Sequence, residues 1–180
     1  MRAVWLFALT GCDAALGLTV AVQADAPGLA PCCPSTYTHV AQGSFGGDYR
    51  IDSGWFGFLA AESACANDLA TQGTGCFTHL AVAASLSELQ LISQAIGPSN
   101  EYFWIGASNL ADGTTWQWIT NEAPALADTS ALWEQGYPQA SNGQCVHIDA
   151  ITGQLINSPC STTIQFACEC DAVAPDPSHL

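Results

Sequence analysis

The residues of this chain best suited to bind a ligand lie in and near one stretch, "GYPQASNGQCVHIDAITGQLINSPC", at positions 136–160. Five aromatic and amide side chains cluster there: Trp133, Tyr137, Gln139, Asn142 and Asn157. Aromatic faces combined with amide groups hold a sugar ring or a peptide without a metal ion. We therefore predict these five as ligand-binding residues. The alternative for Trp133 is that its indole packs beneath the stretch as part of the core.

The sequence contains no pattern typical of an enzyme active site. Its four histidines, His39, His79, His147 and His179, do not stand at a metal-binding helical spacing. The Gly-x-Ser-x-Gly nucleophile motif, the phosphate-binding P-loop and the glycine pattern of dinucleotide-binding folds are all missing from it. We therefore expect a non-catalytic protein that uses no cofactor.

The charge balance excludes two classes of partner. Two basic residues, Arg2 and Arg50, stand against sixteen Asp and Glu, and the formal net charge is −14. Binding to nucleic acid or to anionic lipid needs clustered Lys and Arg that neutralise phosphates. We expect neither partner. The acidity fits a soluble surface that repels its own copies, or else a surface for a cationic partner.

The N-terminus predicts export. Its sequence, "MRAVWLFALTGC", has one Arg, an apolar run too short to span a bilayer, and Leu9-Thr10-Gly11-Cys12. This resembles the lipobox of bacterial lipoproteins, which implies a signal peptide over residues 1–11, lipidation of Cys12 and a tether over residues 12–31. The rival interpretation is secretion after cleavage at Val22-Gln23-Ala24. We predict a membrane-anchored lipoprotein at the cell envelope or surface, with secretion as the alternative.

Residues 32–170 predict one α+β domain, and the composition of residues 171–180 predicts a disordered tail. A first helix over about residues 58–69 places its apolar residues on one face. A second begins with the capping box of Ser85 and Glu88 and ends at Gly97. Six short segments rich in aromatic and β-branched residues predict strands: "DYRI", "HLAVA", "YFWIGA", "TWQWI", "QCVHI" and "QFACEC".

Tryptophans and cysteines follow a distinctive order along this domain. They occur as Cys65, Trp104-Ile105-Gly106, Trp116-Gln117-Trp118, Trp133, Cys145, Asn157-Ser158-Pro159-Cys160 and Cys168-Glu169. This order resembles a C-type lectin-like domain over about residues 33–170. The resemblance implies two helices, short antiparallel strands and a long loop region, stapled by disulfides. It also implies two bridges, Cys65–Cys168 and Cys145–Cys160.

The remaining cysteines leave their pairing open. Assigning Cys12 to the lipid leaves eight for four bridges. Cys170 follows Cys168 by two residues and so points to the same face of its strand. We expect Cys170 to pair with Cys32 or Cys33 and Cys76 to take the other. The alternative, a zinc site built from these four, matches the usual ligand spacing poorly.

The positions that hold calcium in sugar-binding members of this family carry no acidic residue in this sequence. In sugar-binding members, calcium is held by a Glu-Pro-Asn or Gln-Pro-Asp triplet, a Glu two residues before the third cysteine, and an Asn-Asp pair before the fourth. The matching positions are Tyr137-Pro138-Gln139, Gly143 and Asn157-Ser158. None is a carboxylate, and calcium affinity rises with carboxylate count. We expect no metal there.

Together these features predict an exported, C-type lectin-like binding module that is lipid-anchored, non-catalytic and calcium-independent, with an extracellular carbohydrate or protein as its ligand. Two alternatives remain open from the sequence. One is a calcium-dependent carbohydrate-binding lectin. The other is a structural cell-surface protein without a soluble ligand.

Overall fold

The computed structural model describes residues 32–43, 45–69 and 75–180. The predicted signal peptide over 1–11, the lipidated Cys12 and the tether over 12–31 lie outside these residues. Within the described ranges, no helix is long and apolar enough to cross a membrane.

The described residues form an α+β fold with two helices and a sheet. The helices are α1 (Phe58–Ala66), continued by a 3₁₀ turn (Asn67–Leu69), and α2 (Leu86–Ile96). The strands are β1 (Thr38–Gln42), β2 (Phe45–Phe56), β3 (Phe77–Leu80), β4 (Tyr102–Ser108), β5 (Gln117–Trp118), β6 (Cys145–Asp149), β7 (Gln154–Ser158) and β8 (Ile164–Asp171). The six predicted strand segments all overlap strands, whereas β1 and β7 have no counterpart among them.

The sheet is organised around β8. Its order is β1-β2-β8-β4-β6-β7, with β3 also paired to β8 and β5 to β4. Most pairs are antiparallel, as predicted, but β4 and β8 run parallel, with Trp104 opposite Phe166. This exception depends on how the chain returns to the sheet after β7, which local sequence does not encode. The consequence is that β8 contacts strands from both halves of the domain.

Both helices follow from local sequence. The side-chain oxygen of Ser85 accepts a hydrogen bond from the backbone N–H of Glu88 at 3.3 Å and caps α2. Gly97, at φ +71°, ends the helix in a conformation that suits glycine. On α1, Phe58, Ala61 and Cys65 are buried, which confirms the predicted apolar face.

Indole and benzyl rings fill the core beside α1. Trp104 is fully buried, and its Nε1 donates to the Phe56 carbonyl at 2.9 Å. Its ring meets that of Phe58 edge-on, with the centroids 5.7 Å apart. Trp116 and Trp118 are also buried. Each buried aromatic contributes a large apolar area, so these rings are major stabilising elements.

Four disulfides cross-link the domain. They are Cys32–Cys76, Cys33–Cys170, Cys65–Cys168 and Cys145–Cys160. The last two are the bridges that the resemblance implies, and the first two decide the pairing that the sequence left open. Because all four sulfurs of the zinc alternative are bonded to other sulfurs, a zinc site does not fit the structure.

The C-terminal tail corrects one prediction. The composition of residues 171–180 predicts disorder, but Asp171 ends β8 and the residues after it pack against β5 and the start of the long loop. The Asp176 N–H donates to the Ile119 carbonyl at 2.6 Å, and His179 Nδ1 lies 2.6 Å from the Trp118 carbonyl oxygen. The Asn121 amide donates to Asp176 Oδ2 at 2.7 Å. Strand β5 is only two residues long, so the tail supplies hydrogen-bond partners that a neighbouring strand would otherwise provide.

Candidate binding site at the long loop

The candidate site lies on the long loop, which we define as residues 119–144, between β5 and β6. Asn157 on β7 fastens the end of this loop. Its Oδ1 accepts from the Gln139 N–H at 2.8 Å, and its Nδ2 donates to the carbonyls of Gln139 at 2.8 Å and Gly143 at 2.7 Å. The Asn142 side-chain amide in turn donates to the Asn157 carbonyl. One side chain thus satisfies three backbone groups of the loop.

This arrangement corrects the role predicted for Asn157. Its side chain is fully buried and its polar atoms are engaged with the backbone. A ligand therefore does not reach it in this conformation. The residue sets the shape of the loop instead of touching what the loop binds.

Trp133 also differs from its prediction as a ligand-binding residue. It is 4% exposed, and its Nε1 donates to the Ala127 carbonyl at 3.1 Å. Its ring meets Trp116 edge-on, with the centroids 5.3 Å apart. The alternative, that this indole packs beneath the loop as core, is the one that the structure shows.

Three of the five predicted residues remain at or near the surface. Gln139 is exposed, and Tyr137 and Asn142 are half-buried. Tyr137 packs against the core, and its N–H donates to the Glu134 carbonyl at 3.0 Å. The peptide bond between Tyr137 and Pro138 is cis. We call these three residues the loop strip. They offer a ligand one aromatic ring and the amide of Gln139, together with the oxygen of the Asn142 amide, whose nitrogen is bonded to the Asn157 carbonyl.

The loop does not fit a calcium ion. A Cβ placed on Gly143, at φ +112°, would lie 2.2 Å from the Pro159 nitrogen and from the Ser158 carbonyl carbon. The position that carries a glutamate in the sugar-binding relatives therefore has no room for any side chain. The Asn157 oxygen is already bonded to Gln139, and Tyr137 and Ser158 bring no carboxylate. Calcium needs several hard oxygens, which these residues do not supply.

His147 and Ser158 lie below the loop and form a pair that resembles a nucleophile and its base. His147 Nε2 is 2.8 Å from Ser158 Oγ, but His147 Nδ1 is buried and no described group bonds to it. Burial lowers the pKa of His147 to about 4, which makes the imidazole a weak base. A catalytic pair needs a third group that orients the base. The contact joins β6 to β7.

Two further surface features were not predicted from the sequence. A cavity of about 480 Å³ lies between β1, β2 and α2, lined among others by His39, Arg50 and Gln94. Trp55, near the end of β2, and Leu59, in the first turn of α1, are 59% and 55% exposed. Neither feature involves the long loop. Both depend on which faces of β2 and α1 the rest of the domain leaves uncovered, which local sequence does not encode.

The fold and this loop define a C-type lectin-like domain. The family model for the lectin C-type domain matches residues 58–170, which is more than half of the chain. The protein therefore belongs to the C-type lectin domain family, as the order of tryptophans and cysteines predicts.

Solved structures have the same fold, and the match covers nearly the whole length of each of those chains. The C-type lectin CEL-I from Cucumaria echinata is 14% identical, with 80% of this chain and 99% of that chain covered and a TM-score of 0.62. The carbohydrate-recognition domain of cow CD23, solved with a GlcNAc2Man3 oligosaccharide, is 19% identical, with 76% and 94% covered and a TM-score of 0.60. A calcium-independent type II antifreeze protein is 21% identical, with 79% and 95% covered and a TM-score of 0.58. At these identities the likeness shows the fold.

Proposed function

We propose that this protein is a non-catalytic binding module whose loop strip holds an extracellular ligand without calcium. A carbohydrate is the ligand that its chemistry favours, because a ring face matches a sugar's apolar face, and the Gln139 amide with the Asn142 amide oxygen matches its hydroxyls. The observation that carries the proposal is the position of Asn157. This buried side chain occupies the place of a metal ligand and holds the loop backbone directly.

A loop that is already ordered before the ligand arrives favours binding. A loop that is already ordered loses little conformational entropy when it meets a ligand. Asn157 orders residues Gln139 and Gly143 through three hydrogen bonds, and Cys145–Cys160 closes the same region covalently. The exposed amide of Gln139 is thereby presented from a fixed backbone. In a calcium-dependent lectin, by contrast, the ion itself touches the sugar hydroxyls.

A glycan array tests the proposal, with the protein applied in EDTA and again in calcium. We expect the same bound glycans in both. For the best glycan, Gln139→Ala should weaken binding about tenfold, since one hydrogen bond contributes about 1–1.5 kcal/mol. The matched control is Gln42→Ala, which removes an exposed glutamine from β1.

The possible outcomes separate the alternatives. Binding that vanishes in EDTA would indicate a calcium-dependent lectin and would contradict the proposal. An equal loss of glycan binding in Gln139→Ala and Gln42→Ala would exclude the loop strip as the binding site. Silence on the array, with capture of a single envelope protein that depends on Gln139, would assign a protein ligand. Silence in both assays would favour a structural surface protein.

Export and anchoring are part of the same proposal. We infer that Cys12 carries the lipid and that the domain stands outside the membrane on the tether of residues 12–31. Cys12→Ser should release the protein from the membrane fraction or block its processing. Unchanged maturation and membrane association of that variant would overturn the anchor. Secretion after cleavage at Ala24 predicts instead that the native protein is found free.

A further inference from the structure

The outer face of α1 presents no charged side chain to solvent. Leu59, Ser63 and Ala66 follow the spacing of one helix face, and all three are exposed. The one carboxylate of the helix, Glu62, is turned inwards, and its Oε2 accepts from the Leu80 N–H at 2.7 Å. The helix therefore shows small and apolar side chains to solvent as well as to the core.

Aromatic residues extend this face beyond the helix. Trp55 and Phe56, at the end of β2, are both exposed. Phe56 lies opposite Ile164 of β8, and its ring meets Phe166 edge-on, with the centroids 5.5 Å apart. The strand therefore holds these rings beside the first turn of α1. We call the following residues the α1 patch: Trp55, Phe56, Leu59, Ala60, Ser63 and Ala66.

The α1 patch is uncharged although the protein is strongly acidic. The chain has sixteen Asp and Glu, yet Glu62 is the one charged residue within residues 53–67, and residues 160–167 contain none. The two segments are neighbours, because the Phe58 N–H donates to the Cys160 carbonyl at 2.9 Å. A surface that lacks charge and keeps large apolar side chains is typical of an interaction site.

The size of the α1 patch favours a lipid surface over a protein partner. A standard protein interface takes about 20–30 residues from each side, which is several times what the patch offers. A lipid surface needs less, since a few apolar side chains enter the headgroup region together and tryptophan favours that region. The lack of exposed carboxylates fits the same partner, because each would lose water on insertion.

The chain enters the domain within reach of the α1 patch. Cys32, where the described residues begin, is bonded to Cys76, which directly precedes β3. Helix α1 packs against β3. The helix is about 14 Å long, whereas a chain of the length of residues 12–31 spans up to about 70 Å. A lipid at Cys12 therefore allows the patch to meet the bilayer that holds it.

We propose that the α1 patch lies on a zwitterionic lipid surface and orients the anchored domain there. A formal net charge of −14 repels anionic headgroups, so the lipid class is uncharged overall. The contact is weak by itself, since even one myristoyl chain gives a binding constant of only about 10⁴ M⁻¹. The inference rests on the proposed anchor at Cys12, which keeps the patch at a high local concentration near the membrane. Without that lipid the patch does not hold the protein in the membrane fraction.

Vesicles of phosphatidylcholine test the contact, with the mature chain from residue 12 carrying Cys12→Ser so that no lipid is attached. Trp55 reports on insertion, because the other four tryptophans of the described residues are 5% exposed or less. At millimolar lipid we expect its emission to shift to shorter wavelength and brominated phosphatidylcholine to quench it. Replacing part of the lipid with phosphatidylglycerol should weaken both effects.

Two leucines give a matched pair of variants. Leu59 and Leu86 lie in the first turns of α1 and α2 and are 55% and 51% exposed. Leu59→Ser should weaken vesicle binding about tenfold in a flotation assay, since an inserted leucine contributes about that factor. Trp55→Ser should weaken it at least as much. Leu86→Ser should float with the vesicles as the unchanged chain does.

Three results would overturn the lipid contact: an unchanged Trp55 emission with neutral vesicles, binding that grows with the anionic fraction, or equal losses in Leu59→Ser and Leu86→Ser. A dimer that Leu59→Ser dissociates, without vesicle binding, would overturn it in favour of a second copy of the chain. Failure of the proposed function is read separately. Membrane fractionation of the native chain tests the anchor, and Leu59→Ser should keep the glycan binding that Gln139→Ala loses.

Discussion

At the scale of single residues, Asn157 on β7 and Gly143 within the long loop determine the shape of the end of that loop. Asn157 holds the loop backbone through its buried amide, and Gly143 brings that backbone against the peptide between Ser158 and Pro159. The two contacts depend on each other. The Gly143 carbonyl can accept from Asn157 because the Gly143 backbone lies against the peptide between Ser158 and Pro159. The loop therefore keeps its shape without an ion.

Replacement of Gly143 by alanine should destabilise the protein severely. The new Cβ would meet the backbone at 2.2 Å, which no side-chain movement relieves, and the positive φ adds strain. We expect a loss of about 3 kcal/mol or more in the free energy of unfolding. Gly136→Ala is the matched control: its φ is +94° but open space surrounds it, so we expect about 1–2 kcal/mol. Urea unfolding measures both, and similar losses in the two variants would contradict the close approach.

His147 should make stability depend on pH. Burial lowers its folded-state pKa to about 4, below the ordinary histidine pKa of about 6.5, so the unfolded chain binds the proton more tightly. The contribution is fully present above pH 6.5 and is lost as the pH falls towards 4. From pH 7 to 4.5 we expect a loss of about 2–3 kcal/mol from this residue. His147→Gln should show a correspondingly shallower dependence, and equal slopes would refute the assignment.

At the scale of elements, β8 connects the domain and the tail completes it. Strand β8 pairs with β2, β3 and β4 and carries Cys168 and Cys170. The tail that follows it covers the backbone beside β5 through Asp176 and His179. Strand and tail together determine where the long loop leaves the sheet.

Deletion of residues 174–180 tests whether the tail is an integral element. It removes the bonds from Asp176 and His179 to the carbonyls of Ile119 and Trp118. We expect a loss of about 2 kcal/mol, because each hydrogen bond contributes about 1 kcal/mol net and tail ordering offsets part of it. The melting midpoint should fall by several degrees. A truncated protein with an unchanged midpoint would restore the interpretation of a disordered tail.

At the scale of the whole molecule, disulfides connect parts that are far apart in sequence. Cys33–Cys170 joins the entry of the domain to its exit across 137 residues, whereas Cys145–Cys160 spans 15. Both restrict the unfolded chain, and Cys32–Cys76 and Cys65–Cys168 already close most of the longer loop. A second long-range feature is the group of three carboxylates, in which Glu122 of the long loop lies close to Glu169 and Asp171 of β8.

Paired removal of each bridge should compare their contributions. Cys33→Ala with Cys170→Ala and Cys145→Ala with Cys160→Ala should each cost about 3 kcal/mol by chain entropy, because the intact Cys32–Cys76 and Cys65–Cys168 bridges already shorten the loop that Cys33–Cys170 closes. Denaturant unfolding of the two double variants measures the difference. A larger loss from the short bridge would show that packing around Cys145, which is fully buried, outweighs chain entropy.

The helices and most strands were predictable because local chemistry produces them. Ser85 caps α2 with its own side chain, Gly97 ends that helix, and aromatic segments such as residues 102–107 have strand propensity in any context. Strands β1 and β7 were missed, since their sequences are polar and short. They form because neighbouring strands pair with them.

The sequence by itself determined the family, the two helices and the absence of carboxylates at the loop's calcium positions, because residue identity and spacing decide each of these. Tertiary structure alone decided that Asn157 and Trp133 are buried, that Cys33 pairs with Cys170, and that the tail is ordered. It also brought Glu122 to Glu169 and Asp171. These outcomes depend on contacts between residues distant in sequence, and such contacts follow from how the elements pack.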